Sequence, residues 1–386
     1  MRTAETLQYI LQRWHQPSTH PHVNKVVEQL KTCRTARQGY HLYRCGNEVC
    51  GRLHYRYHSC RNRHCPQCGG FQKQEWIEHR TAELLPTHYF HVVFTLPHEL
   101  NSIILGNRKQ LLKLLFDAAA ATLLQFARDE KYLGAVPGIL SVLHTWGQQL
   151  SFHPHVHCII SSGGITNNSS SLQWKTARRN SSRFLFPVKA MGKVYRAKFL
   201  QGLAKLISQN QIAVTDKDII SPMIKNLWQH EWQVYAKKPF GGPQQVINYL
   251  GRYTHKTAIT NQRIVAIDHS EEKIAFQYKD YRDRSKQKTL SMNVQEFIRR
   301  FEQHILPKGF TRIRSYGYLA NRGRSMRISQ ITSAMKIPSH PARIKIPWEL
   351  RLWLQYGTRH SQCPHCGSDS LQLVAVCYSC LPFNDS

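Results

Sequence analysis

Two Cys-Pro-x-Cys pairs lie near opposite ends of the sequence and constrain its fold more than any other feature. They are Cys65-Pro-Gln-Cys68 and Cys363-Pro-His-Cys366. Cysteines at this spacing place two thiolates within reach of one tetrahedral Zn²⁺. The chain has 11 cysteines in all, in a large basic protein rather than a small secreted one. We therefore predict a reducing compartment and structural zinc rather than disulfides.

The C-terminal pair has a second pair close behind it, Cys377-Tyr-Ser-Cys380. Two such pairs in a short tail are typical of a zinc ribbon, in which four thiolates close a structural site. The sequence therefore predicts a self-contained zinc site formed by Cys363, Cys366, Cys377 and Cys380.

The N-terminal region offers more ligands than one zinc ion needs. The candidates are Cys33, His41, Cys45, Cys50, Cys60, His64, Cys65 and Cys68. We favour one site formed by Cys45, Cys50, Cys65 and Cys68. Cys33 and Cys60 remain, either for a second zinc ion or as packed thiols. The whole chain is thus expected to hold two or more structural zinc ions.

Composition restricts the class of protein. Lys and Arg number 53 against 23 Asp and Glu, a formal net charge of +30, which indicates a polyanionic partner such as nucleic acid. A hydrophobic share of 41% is enough for a sizeable core in a chain of 386 residues, which suggests two or three domains. No apolar run approaches the ~20 residues of a membrane span, and the N-terminus is polar. We expect a cytoplasmic protein associated with the nucleoid.

The central region alternates strand and helix patterns. Residues 108–130 are rich in Leu and Ala at helical spacing, and 138–150 and 155–161 read as two strands of a hairpin. Residues 163–183, rich in Gly, Asn and Ser, predict a loop. Pro243 is suited to the first turn of a helix that reaches about Thr257.

The second of these strands carries His155-Val-His157. Side chains alternate between faces along a strand, so both imidazoles project to the same side. This arrangement suits two ligands of one divalent ion, although such a pair is a weak signal in a chain with 22 histidines.

The predicted helix carries Tyr249 and Tyr253, four residues apart and hence on one face. Val246, Tyr249, Leu250 and Tyr253 also follow the spacing of an ordinary core face. A cationic rim favours a functional role, and its members are Lys237, Lys238, Arg252, His255 and Lys256. A phenolate can attack a phosphodiester and form a covalent phosphotyrosine, and a divalent ion can polarise that phosphate.

Extended segments of the sequence resemble the rolling-circle insertion-sequence transposases of the IS91 family, which are two-tyrosine His-hydrophobic-His (HUH) nucleases. The matching segments include SCRNRHCPQC at 59–68, FTLPHELN at 94–101, HTWGQQLSFHPHVHCIISSGGI at 144–165, YAKKPFGGP at 235–243, YLGRYTHKTAITNQRI at 249–264 and EFIRRFEQHILPKGFTRIRSYGYLANR at 296–322. Together they cover about residues 30–330.

The resemblance implies an α+β fold with a ferredoxin/RRM-like antiparallel HUH sheet and packed helices. It predicts an N-terminal zinc-binding domain at 1–85 and a catalytic domain at 86–330. A linker at 331–360 and the zinc ribbon at 361–386 complete the predicted organisation.

The resemblance also implies roles for individual residues. His155 and His157 would bind Mg²⁺ or Mn²⁺, and Tyr249 and Tyr253 would be the nucleophiles. A third polar ligand is usual in such enzymes, and we favour Gln148, with Gln149, His144 and His153 as alternatives. The residues expected to hold DNA near the ion are Lys237, Lys238, Arg252 and Lys256.

The expected function is transposition of an insertion sequence by nicking and joining single-stranded DNA through a 5′-phosphotyrosine. One alternative is a plasmid replication initiator or relaxase with the same chemistry. Another is a non-catalytic, zinc-dependent DNA-binding protein.

Overall fold

A computed structural model describes the protein over residues 6–68, 76–81, 83–168, 171–177, 185–214, 217–237, 245–246, 251, 257–337, 346–357 and 359–378. These residues form a mixed α/β structure with antiparallel sheets. The helices are α1 (Leu7–Trp14), α2 (Pro21–Lys31), α3 (Asn101–Gly106), α4 (Arg108–Arg128), α5 (Val188–Ser208), α6 (Lys217–Gln229), α7 (Val294–Glu302), α8 (Arg324–Ala334) and α9 (Trp348–Tyr356).

The strands fall into three sheets within the described residues. The strands are β1 (Gly39–Cys45), β2 (Leu53–Tyr57), β3 (Tyr89–Thr95), β4 (Val136–Trp146), β5 (Phe152–Asn168), β6 (Ser171–Thr176), β7 (Val234–Lys237), β8 (Ile264–Asp268), β9 (Lys273–Asp280), β10 (Lys286–Asn293), β11 (Ile313–Gly317) and β12 (Leu371–Tyr378). The large sheet has the order β11-β4-β5-β3-β7, with β6 paired to β5. The two smaller sheets have the orders β10-β9-β8 and β12-β1-β2.

The large sheet buries one face against helices α4 and α5. Along β5, Val156, Cys158 and Ile160 all point into this core and are buried. The intervening residues of the strand, His155, His157 and Ile159, must therefore face the opposite side. One strand thus supplies the core with one set of side chains and the second face with the other.

Helix α4 is long and apolar enough by composition to cross a membrane, and it is the one such helix in the described part of the chain. Most of its apolar window is buried inside the fold, in contact with the large sheet and α5. In this structure α4 is the central helix of the core.

A second core joins the start of the chain to its later part. Helices α1 and α2 pack with α7 and the β8–β10 sheet around buried apolar side chains. Polar contacts reinforce this contact: His15 lies 2.9 Å from Glu302, and Arg63 donates to the carbonyl oxygen of Phe310 at 2.6 Å. The N-terminal helices therefore form one packed unit with residues 258–305.

The C-terminal segment is not the separate tail that the sequence suggests. Strand β12 pairs antiparallel with β1, with Gly39 opposite Tyr378 and Cys45 opposite Leu371. The predicted linker at 331–360 contains the end of α8 and all of α9. The predicted loop at 163–183 instead continues β5 to Asn168 and returns as β6. Of the helix predicted from Pro243 to Thr257, most lies outside the described residues.

Gly317 provides a test of the β4–β11 contact. Its φ is +64°, and a Cβ there would overlap the carbonyl oxygen of Pro137 on β4. Gly309 has a similar φ of +71° but open space around it. Ala at either position pays the left-handed backbone strain of about 1 kcal/mol, whereas Gly317→Ala adds the steric overlap, for roughly 2–5 kcal/mol in total. Thermal unfolding followed by circular dichroism should show a clearly larger fall in Tm for Gly317→Ala than for Gly309→Ala. Equal shifts would mean that the strands separate easily here.

Candidate functional site

Three groups of side chains in the described residues bring potential metal-ligand atoms within 4.8 Å of one another. We name them the histidine cluster (His144, His155 and His157), the Cys33 cluster (Cys33, Cys60, Cys65 and Cys68) and the Cys45 cluster (Cys45, Cys50, Cys363 and Cys366).

The histidine cluster is built by the β4–β5 hairpin. His144 on β4 lies directly opposite His155 on β5, and Val142 lies opposite His157. Because paired residues share a face, the His144 ring meets both rings of the adjacent strand. The ring centroids are 5.5 Å apart for His144 and His155, 4.6 Å for His144 and His157, and 4.9 Å for His155 and His157. Three imidazoles at this spacing can hold one divalent ion.

A backbone carbonyl fixes the tautomer of His155. Its Nδ1 lies 2.7 Å from the carbonyl oxygen of His153, so Nδ1 carries the proton and donates. Nε2 of His155 is then the atom with the lone pair that a metal requires. His153 contributes this carbonyl, and its ring lies outside the cluster.

A neighbouring histidine performs the same task for His157. Nδ1 of His157 is 2.9 Å from Nε2 of His91, which lies on β3 and is almost completely buried. Burial, followed by the nearby Lys237 ammonium, lowers the pKa of His91 to about 3, so its ring is neutral at physiological pH. When His157 binds a metal through Nε2, its Nδ1 keeps the proton and donates a hydrogen bond to Nε2 of His91. His91 was not among the site residues predicted from the sequence, although it lies three residues before the FTLPHELN segment.

Stacking holds the third ring in place. Trp146 stacks on His144 with centroids 4.7 Å apart and an interplanar angle of 18°. The guanidinium of Arg312 lies 5.0 Å from the Trp146 ring, and its Nε donates to the carbonyl oxygen of Leu143 at 3.1 Å. Burial lowers the pKa of Arg312 to about 9. Because Arg312 packs on Trp146 and Trp146 stacks on His144, the rotation of the His144 ring is restricted.

Gln148, the favoured third ligand, is not in the histidine cluster. It lies in the turn between β4 and β5, where its side chain contacts Tyr281 and the backbone N–H of Lys279, each at 3.4 Å. The strand partner of His155 is instead His144, one of the alternatives. Gln149 is an exposed turn residue whose carbonyl oxygen accepts from Arg300 at 3.1 Å.

The face of the sheet that carries the histidines also buries Val246. This side chain is fully buried with Tyr89, Leu140 and Ile159. Ile159 is two residues beyond His157 on β5 and hence on the same face. Val246 precedes Tyr249 by three residues in the sequence. Five of the residues predicted for the catalytic centre and its DNA contacts lie outside the described residues, namely Lys238, Tyr249, Arg252, Tyr253 and Lys256.

Lys237, the remaining basic candidate, lies on edge strand β7. It pairs with His91 in the β3–β7 ladder. This pairing places Lys237 beside His91, and its positive charge contributes to the lowered pKa of His91. Its exposed position at the sheet edge suits a contact with an anion.

The Cys33 cluster joins the end of α2 to the Cys65-x-x-Cys68 turn. The Sγ of Cys68 lies 3.5 Å from that of Cys33 and 3.6 Å from that of Cys60, and Cys65 lies 3.7 Å from Cys33. Four sulfurs around Zn²⁺ at bonds of about 2.3 Å would lie about 3.8 Å apart. Cys65 and Cys68 are therefore grouped with Cys33 and Cys60. The prediction from the sequence, which grouped them with Cys45 and Cys50, is wrong on this point.

The Cys45 cluster draws its ligands from opposite ends of the chain. Sγ of Cys45 is 3.6 Å from that of Cys366, and Sγ of Cys50 is 3.9 Å from that of Cys363. The self-contained ribbon is therefore not what the structure shows. Cys377 lies on β12 opposite Tyr40, away from this cluster, and Cys380 lies outside the described residues. Pairing of β12 with β1 explains the difference, because it sets the second Cys-Pro-x-Cys turn beside the β1–β2 loop.

Hydrogen bonding prepares the Cys45 cluster for a cation. The hydroxyls of Ser368 and Ser370 lie 3.5 Å from Sγ of Cys45 and lower its pKa to about 5. A thiolate at neutral pH is the form that binds Zn²⁺. In the Cys33 cluster, hydrogen bonds from the neighbouring thiols, Cys33 first, likewise hold the pKa of Cys68 well below its ordinary value.

Two family models and two curated relatives match the chain. A family model described as "Transposase zinc-binding domain", that of the IS91 transposases, matches residues 5–96, and one described as "Putative transposase" matches residues 138–326. The chain is 40% identical over 363 residues to "Putative transposase y4qJ" of Sinorhizobium fredii, covering 91% of this chain and 89% of that protein. It is 31% identical over 319 residues to the transposase for insertion sequence element IS801 of Pseudomonas savastanoi pv. phaseolicola, covering 81% and 74%. No solved structure matches the chain.

The grouping of the cysteines can be tested by zinc content. We expect Cys45→Ser to lower bound zinc by about one ion per chain, because it removes a ligand of the Cys45 cluster. The same change should expose residues 359–378 to limited proteolysis, since the shared site fastens β12 to β1. Cys377→Ser is the matched control and should leave both measurements unchanged. Loss of zinc in Cys377→Ser with normal zinc content in Cys45→Ser would contradict this grouping and support the self-contained zinc ribbon.

The role of His91 can be tested by metal affinity. We expect His91→Leu to weaken Mn²⁺ binding at the histidine cluster by about 10- to 100-fold, because His157 loses its hydrogen-bond acceptor. His91→Gln keeps an acceptor near the position of Nε2 and should remain within a few-fold of wild type. Titration of the zinc-loaded protein with Mn²⁺, followed by electron paramagnetic resonance, measures this directly. Wild-type affinity in His91→Leu would assign His91 to packing alone.

Proposed function

Since the chain belongs to the IS91 family of transposases, we propose that it nicks and rejoins single-stranded DNA at the histidine cluster, with Tyr249 and Tyr253 as nucleophiles. The reaction would proceed through a covalent 5′-phosphotyrosine and drive rolling-circle transposition of an insertion sequence. The family model that matches residues 5–96 describes the zinc-binding domain of these same transposases.

One observation supports this assignment above the others. The three clustered imidazoles and the buried Val246 lie on the same face of the large sheet. On a helix that continues from Val246, Tyr249 and Tyr253 would lie three and seven residues further on, and hence on the same face as Val246. This placement favours phenols directed toward the histidines over phenols in a distant core.

The proposed chemistry requires one bond exchange at phosphorus. The phenolate oxygen forms a bond to phosphorus, the bond from phosphorus to O3′ breaks, and the departing O3′ takes up a proton. A free 3′-hydroxyl and a 5′-phosphotyrosine result, and the bond energy is kept for rejoining. A second tyrosine allows one strand to be cut while another is still attached. With an ordinary pKa of ~10, the phenol requires a nearby cation or base.

The residues present fit a divalent ion. His155 presents Nε2 because its Nδ1 donates to a carbonyl, and His157 does so when Nδ1 donates to His91. When bound, the ion would polarise and orient the scissile phosphate. Three nitrogen donors suit Mn²⁺ better than Mg²⁺, which prefers oxygen ligands. In this proposal His144 takes the position that Gln148 was expected to hold.

The basic residues divide between the sheet edge and the proposed tyrosine helix. Lys237 is placed beside His91 on edge strand β7, where its charge can hold a phosphate near the rings. We assign the same task to Lys238, Arg252 and Lys256. A strand held by such contacts would have its scissile phosphate fixed relative to the imidazoles.

In this proposal residues 86–330 carry the chemistry on a ferredoxin/RRM-like HUH sheet. Residues 1–85 form the zinc unit, which residues 361–386 complete. The protein would act in the cytoplasm on nucleoid DNA.

A covalent-adduct assay tests the proposal. Zinc-loaded protein with Mn²⁺ is mixed with single-stranded DNA from the end of its own element, labelled at either terminus. A 3′-terminal label should remain on the protein in denaturing gels, while the 5′-terminal fragment should be released with an extendable 3′-hydroxyl. Tyr249→Phe combined with Tyr253→Phe should lower adduct formation on the order of 10³-fold or more.

Tyr235→Phe is the control, because Tyr235 is an exposed tyrosine on β7 of the same sheet. It should form the adduct at the wild-type level. An adduct that survives the double substitution would exclude these nucleophiles. DNA binding with full zinc content but no adduct would instead identify a non-catalytic DNA-binding protein.

A further inference from the structure

The β12–β1–β2 sheet has one face rich in exposed aromatic side chains. Tyr40 and Leu42 on β1 pair with Tyr57 and Tyr55 on β2, so all four project to the same side. Tyr55 is 51% exposed and Tyr57 is 44% exposed. Their rings are nearly parallel, with centroids 6.3 Å apart and an interplanar angle of 14°. We name this set of four side chains the tyrosine face.

Tyr40 packs against both exposed rings. It meets Tyr55 edge-on with centroids 5.2 Å apart and Tyr57 edge-on at 6.2 Å. Edge-to-face packing of this kind restricts ring rotation. Tyr55 and Tyr57 are therefore held in a fixed orientation with part of each ring in solvent.

The opposite face of the sheet is covered around Tyr43 on β1. Tyr43 is buried and lies 3.2 Å from Nε2 of His360, whose ring packs against Trp348 at the start of α9. Arg56 places its guanidinium 4.8 Å from the Tyr43 ring. The α9 region thus occupies one side of the sheet, and the tyrosines lie on the other.

The charge around the tyrosine face is positive. Apart from Arg56, which lies on the opposite face, strands β1 and β2 and the loop between them contain Arg44 and Arg52 against a single acidic residue, Glu48, and β12 contains no acidic residue. Arg44 pairs with Leu53 and projects to the same side as the tyrosines, where it is exposed. Exposed aromatic rings beside an arginine suit a ligand with flat π faces and an anionic backbone.

We propose that the tyrosine face is a second binding surface for single-stranded DNA, distinct from the histidine cluster, on which unpaired bases stack against Tyr55 and Tyr57 while Arg44 contacts the phosphates. The inference rests on the proposed single-stranded substrate. Duplex DNA hides the faces of its bases inside the stack, so these rings select unpaired bases. The face would hold a strand without sequence preference, because every base has a π face.

Fluorescence anisotropy of the full-length, zinc-loaded protein tests this without any strand cleavage. The probe is a fluorescein-labelled 20-nucleotide thymidylate strand, in buffer without added Mg²⁺ or Mn²⁺. Tyr55→Leu combined with Tyr57→Leu keeps apolar side chains on the sheet but removes the π faces, and should weaken binding by ~10-fold or more. Tyr55→Phe combined with Tyr57→Phe keeps the rings and should bind within about twofold of wild type. A duplex of the same length should bind all three proteins equally.

Salt dependence separates stacking from charge. The Leu pair removes no charge, so its log Kd should change with log salt at the wild-type slope, whereas Arg44→Ala should lower that slope by ~0.7. Wild-type affinity in the Leu pair, an equal loss for duplex, or an equal loss in the Phe pair would each overturn the proposal. Self-association of the wild type that the Leu pair abolishes, with unchanged DNA binding, would identify a second copy as the occupant instead.

The outcome is independent of the nicking chemistry. Failure of the tyrosine face leaves adduct formation at Tyr249 and Tyr253 intact, and failure of the adduct assay leaves the anisotropy difference intact. Zinc content and circular dichroism of the Leu pair should match those of wild type, because the substituted side chains are exposed.

Discussion

The register of the β4–β5 hairpin determines the candidate catalytic site. The chain reverses at residues 147–151, where the N–H of Gly147 donates to the carbonyl oxygen of Ser151 and the N–H of Leu150 to that of Gly147. This turn sets His144 opposite His155. A slip of one residue would turn the whole strand over, burying the histidines and exposing Val156 and Ile160. The apolar core on α4 and α5 therefore also selects the face on which the metal ligands stand.

That coupling explains how polar rings can lie so close to a core. His91 and His144 are both nearly inaccessible to solvent, and burial lowers the pKa of His91 to about 3, which favours its neutral form. A neutral ring is the form that donates a lone pair to a metal or accepts a hydrogen bond from another ring. Burial of His91 thus keeps neutral the ring that accepts a hydrogen bond from His157. Trp146 and Arg312 add orientation without adding a ligand.

Local features of this fold could be predicted from the sequence, whereas the partners of its long-range contacts could not. Alternation identified the His155–His157 strand, and helical spacing identified α4 within two residues of its observed end. The predicted strands end at residue 150 and resume at residue 155, which places the turn later than the observed 147–151. A later turn brings Gln148 opposite His155, whereas the observed turn brings His144 there. Similarly, proximity along the chain suggested Cys363 with Cys377, but spacing carries no information on which strand a segment will pair with.

The Cys45 cluster extends this point to folding. Cys45 and Cys366 are 321 residues apart, and the entropic cost of closing a chain segment rises slowly with its length. Strand pairing of β12 with β1 and four thiolates on one ion would act on the same closure, so each reduces the cost of the other. The site cannot form until residue 366 has been synthesised, whereas the Cys33 cluster needs the chain only to residue 68. The four side chains of the tyrosine face all lie on β1 and β2, so that surface needs the chain only to residue 57, although the sheet that carries it gains β12 much later.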